Sequence, residues 1–150
     1  MDMLQNVLKG LNGDEPDRLR DFSRRYQDGP PDQGYTDQEA KEHYGTLAGR
    51  LPTGEYEASA EDAFSRLSPQ ERRQSGEWLE QRSGGRVQTA TTDDPRELAR
   101  ATNQVQQEQP NLLQQVFGEG GALSNPIAKM AVAGIAAMAA QRMFGNKRTN

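Results

Sequence analysis

The sequence predicts an all-α fold, a small multi-helix bundle of about five to seven short helices, and three observations carry that reading. Two capping boxes, Thr36 with Glu39 and Ser68 with Glu71, mark helix starts. Apolar residues recur at three- and four-residue spacing through most of the chain. Finally, no stretch alternates β-branched or aromatic residues with polar ones in the way a half-buried strand requires.

Each element follows in order. A short apolar segment holds Met3, Leu4, Val7, Leu8 and Leu11. Asp14 can then cap a helix from about Pro16 to Gln27 with Leu19, Phe22 and Tyr26 inward. From Thr36 the next helix runs over about residues 37–50, with Ala40, His43, Tyr44, Leu47 and Leu51 on one stripe, and Pro52 ends it. Thr53 can cap a third helix bearing Tyr56, Ala60, Ala63, Phe64 and Leu67. Ser68-Pro69 opens a fourth, carrying Trp78 and Leu79 and stopped by Ser83-Gly84-Gly85. Gly84 to Thr92 reads as a loop. Asp94-Pro95 starts a fifth helix with Leu98, Ala101, Thr102 and Val105 on one face. Gln104 to Gln109 looks weakly anchored, Pro110 breaks it, and Leu112, Leu113, Val116 and Phe117 form a short apolar turn before the break at Gly118–Gly121.

The last thirty residues differ from the rest. Asn125-Pro126-Ile127 leads into an unbroken apolar run from Met130 to Ala140. That run is eleven residues long, against the roughly 20 that a bilayer span requires. Leu123, Ile127, Met130, Gly134, Ile135 and Met138 share one arc of the helix, and alanines fill the other side, interrupted by Lys129. Small residues four apart, such as Ala133 with Ala137, let another helix backbone come close. A segment this apolar must be covered by the chain's own helices, by a second copy or by a lipid surface.

Composition narrows the rest. Apolar residues make up 33% of 150, so the core is small, and 15 Gly with 8 Pro imply real breaks between helices. There is no Cys, which excludes disulfides, thiolate metal sites and thiol nucleophiles. Met1 to Gly10 has neither a basic region nor a long apolar run, so a cytoplasmic location is expected. Net charge is -4, but residues 31–85 hold eleven acids against six bases, whereas 122–150 hold Lys129, Arg142, Lys147 and Arg148 and no acid. The acidic middle and basic tail should attract, within one chain or between copies.

Candidate chemistry is sparse. His43, the sole histidine, has no nucleophile or ligand partner at a meaningful spacing, so it reads as a packed and hydrogen-bonded side chain. Asp28 to Glu39 is twelve residues long with acids at places one, five, ten and twelve, but Pro30 stands third and Gly34 seventh, which departs from a calcium loop. The arginine pairs Arg18/Arg20, Arg24/Arg25 and Arg72/Arg73, with Arg82 and Arg86, are interleaved with acids and read as solvated ion pairs. Gly118-Glu119-Gly120-Gly121 lacks the Lys-Ser/Thr ending of a phosphate loop.

The expectation is therefore a non-enzymatic structural or interaction protein, with no cofactor, metal or small-molecule substrate. Residues 1–121 would form a polar helical domain centred on three helices at 35–83. Residues 122–150 would complete its core or drive homo-oligomerisation through Ile127, Met130, Gly134, Ile135 and Met138. One alternative is a peripheral membrane protein using that helix with Lys129, Arg142, Lys147 and Arg148. Another is nucleic-acid association through the same basic residues.

Overall fold

The computed structural model describes residues 15–29, 35–109, 112–113 and 126–145. The expected segment from Met3 to Leu11, the Asp14 cap, Val116, Phe117, the Gly118–Gly121 break, Leu123, Lys147 and Arg148 lie outside the described residues. Among those described there are six helices and no strand: α1 (Glu15–Asp28), α2 (Asp37–Ala48), α3 (Thr53–Ser65), α4 (Pro69–Arg82), α5 (Pro95–Glu108) and α6 (Pro126–Gly145). The fold is an all-α bundle.

The helix starts follow local chemistry. Both capping boxes form: Glu39 N–H donates to Thr36 Oγ1 at 3.1 Å while Thr36 N–H donates to Glu39 Oε1 at 3.0 Å. Ser68 and Glu71 repeat the exchange at 3.1 and 2.9 Å. Asp94 caps α5 by accepting from Arg96 N–H at 2.9 Å. The start of α3 corrects the sequence reading, because Pro52 occupies the cap position and offers no side-chain bond. Thr53 is the first helical residue, and its hydroxyl accepts from Gln107 of α5 at 3.2 Å. At the other end of α4, Gly84 and Gly85 take φ of 72° and 83°, left-handed conformations that only Gly adopts cheaply.

The core is organised around α6. Its strongest packing partner is α3, and α1, α2 and α4 also lie against it. The other extensive contact runs between α3 and α5. The three helices between 37 and 82 thus meet α6 and α5 more than they meet one another. Ala128 and every residue from Met130 to Ala140 are buried, as is Met143, so no side of that run faces water. Burying side chains such as Val132, Ile135 and Met138 is worth roughly 1.5–3 kcal/mol each before ordering costs.

Small residues set the distance of approach. A Cβ on Gly134 would lie 2.6 Å from Tyr26 Oη and 2.9 Å from the Ala63 methyl, so α1 and α3 both close onto that position. Nearby, the Ser23 hydroxyl of α1 donates to the Ala137 carbonyl at 3.0 Å, and Gln27 donates to Ser23 Oγ at 2.8 Å. A second buried link joins three helices, where Tyr44 Oη lies 2.6 Å from Tyr56 Oη and donates to Gln106 Oε1 at 2.6 Å. This corrects the expectation for the Gln-rich stretch, which is helical through Glu108 and tied down at Gln106 and Gln107.

Two arginines act as structural pins. Arg72 donates from Nε to the Asp93 carbonyl at 2.8 Å and from a terminal nitrogen to the carbonyls of Phe64 and Leu67 at 3.2 and 2.7 Å. It therefore closes the C-terminal end of α3, where carbonyls lack helical partners, and is not one of the solvated ion pairs expected. Arg66 does the same for α1, reaching the carbonyls of Tyr26 and Gly29 at 3.3 and 2.9 Å with its guanidinium 4.4 Å from the Tyr26 ring centre. The loop after α4 is irregular as expected, but Val87 and Thr89 are buried and Thr89 Oγ1 donates to the Gly76 carbonyl at 2.6 Å.

Candidate functional site

The residues singled out in the C-terminal helix are placed in the middle of the chain. Met130, Gly134, Ile135 and Met138 line the contacts of α6 with its neighbours, and Ile127 is half-buried against the same cluster. Among the residues whose burial is described, every exposed one is polar, charged, Gly or Pro. No apolar patch is available there for a partner or a lipid surface. No helix among the described residues is long and apolar enough to cross a membrane.

The basic residues divide. Arg142 Nε donates to Glu55 Oε1 at 2.8 Å, and its NH1 lies 3.9 Å from Asp62 Oδ2, both on α3. The attraction expected between acidic middle and basic tail is thus realised at Arg142 within one chain. Lys129 is half-buried on α6.

A different region gathers the unassigned chemistry. Between α1 and α2 lies a groove of about 230 Å³, walled by Asp17, Arg18, Asp21 and Arg25 from α1 and by Glu39, Glu42 and His43 from α2. Helical periodicity builds both walls. Asp17, Asp21 and Arg25 stand four apart just beside the inward stripe of Leu19, Phe22 and Tyr26, and Glu39 and His43 stand four apart beside Ala40, Tyr44 and Leu47.

One end of the groove is rigid. Arg25 makes a two-pronged contact with Glu39 at 3.1 and 2.7 Å and donates from Nε to Asp21 at 2.9 Å. Its hydrogen bond to Glu39 is the main reason that carboxyl is held below its ordinary range, with burial opposing and the Thr36 amide helping. The same bond raises the Arg25 guanidinium. The other end is loose. Arg18 reaches Glu42 at 3.3 Å, with side chains 46% and 45% exposed, and Asp17 pairs with Arg20 at 3.7 Å while 82% exposed. Such exposed pairs contribute about 0–1 kcal/mol and are readily exchanged.

His43 sits between these ends. Only 4% of it is exposed, and its ring lies 4.8 Å from that of Phe22 at an angle of 50°. Packing was expected and is found; among the described residues the ring makes no hydrogen bond, and its nitrogens keep access to the groove. Burial, the largest influence, pushes the imidazole below its usual value, Glu42 and Glu39 pull it up, and Arg18 and Arg25 push it down. At neutral pH it is therefore an uncharged ring with one lone-pair nitrogen and one N–H. No hydroxyl or thiol stands in the groove walls to act as a nucleophile beside it.

Among the described residues, no group of three or more His, Asp or Glu has an arrangement that would hold a metal ion. Glu39, the last acid of the calcium-loop reading, is engaged by Thr36 and Arg25. A second cavity, between Trp78, Ser75, Phe64 and α6, has a volume of about 10 Å³. The Trp78 Nε1 and Ser75 hydroxyl at its edge have no hydrogen-bond partner among the described residues, and the space suits at most one water.

The seven groove residues were visible in the sequence only as scattered charges and a packed histidine. Their convergence required the pairing of two helices whose contributions lie 14 or more positions apart. The chain matches no protein-family model, no curated protein and no solved structure.

Proposed function

We propose that this chain is a non-enzymatic helical interaction protein in which α6 is the internal post of the fold and recognition takes place on the polar surface. One observation carries this reading: α6 is enclosed by α1 to α4, while the described surface bears no exposed apolar side chain except that of Pro69. Binding by apolar contact has no platform there, whereas a groove with loosely held charges and a buried imidazole does offer selective polar contacts.

Self-association through α6 is the rival use of the same helix, and it requires α6 to leave its four neighbours and exchange them for a partner's. Truncation separates the two. A chain ending at Gly121, examined by sedimentation and circular dichroism beside the full chain, is expected to lose cooperative folding. A truncated chain that stays folded while the full-length oligomer becomes a monomer would instead assign α6 to the contact between copies.

A further inference from the structure

We draw no further inference here: the strongest candidate, the cavity of about 10 Å³ where Trp78 and Ser75 of α4 meet α6, has no room for a ligand larger than a water, and nothing in the structure shows what fills it.

Discussion

Helices α6 and α1 lie against each other yet follow opposite rules. From Met130 to Ala140, α6 has no exposed position and is held by shape: alanines and Gly134 let α1 and α3 approach until Tyr26 and Ala63 would touch any added carbon. Among its described side chains α1 buries Leu19, Phe22, Ser23 and Tyr26, and turns Asp17, Arg18, Asp21 and Arg25 towards water and the groove. Stability therefore resides where no side chain has polar options, and exchangeable ion pairs lie where side chains meet water. A buried apolar helix tolerates little change of volume, while an exposed ion pair can be rearranged for under about 1 kcal/mol.

The contrast can be broken at α6 first. Ile135→Ala removes a side chain that is 1% exposed beside Phe64, Trp78 and Leu113, and is expected to lower stability by about 2–5 kcal/mol in urea denaturation. A loss below about 1 kcal/mol would mean that α6 is not packed as described. Gly134→Ala comes next. A glycine-to-alanine change inside a helix ordinarily gains up to about 1 kcal/mol, but here overpacking against Tyr26 and Ala63 should exceed that gain and leave a net loss of about 1 kcal/mol. A raised melting temperature would show the α1–α6 contact to be looser than 2.6 Å implies.

On the groove side, Thr36→Ala removes the α2 cap and frees Glu39 from half of its reciprocal bond, for an expected loss of about 1 kcal/mol. The subtlest effect is on pH dependence. His43 is held below its unfolded value of 6.5, so the unfolded chain takes up a proton that the folded chain resists. Its contribution is fully present above pH 6.5 and declines as pH falls from there towards the folded value. Glu39, held below its unfolded 4.5 by Arg25, adds a second decline at lower pH. In His43→Gln the first decline should vanish and the second remain, as read from melting temperatures between pH 7 and 4. An unchanged slope between pH 6.5 and 5 would show that the ring is hydrated in the folded chain.

Much of the architecture was legible locally. Thr36, Ser68 and Asp94 cap the helices assigned to them because a hydroxyl or carboxylate beside free amides needs no distant partner. The inward stripes of α1, α2, α3 and α5 followed from periodicity for the same reason. Local reasoning failed where a side chain had a more distant alternative. Thr53 turned to Gln107, Gln106 to Tyr44, and Arg72 to three carbonyls in place of neighbouring glutamates. Spacing along the chain does not report a carbonyl exposed at the end of another helix.

By itself the sequence determined that the chain is helical, where most helices begin, and that the segment around Ile135 must be hidden. Those properties arise from neighbouring residues and from the aversion of apolar surface to water, which acts whatever covers it. Only the tertiary structure decided that α1 to α4 provide the cover, that Arg142 is answered by Glu55, and that His43 is enclosed beside two helices' charges without a hydrogen bond among the described residues. Those are consequences of how helices distant in sequence pack, and the hydrophobic effect that drives the packing has no direction of its own with which to name the partner.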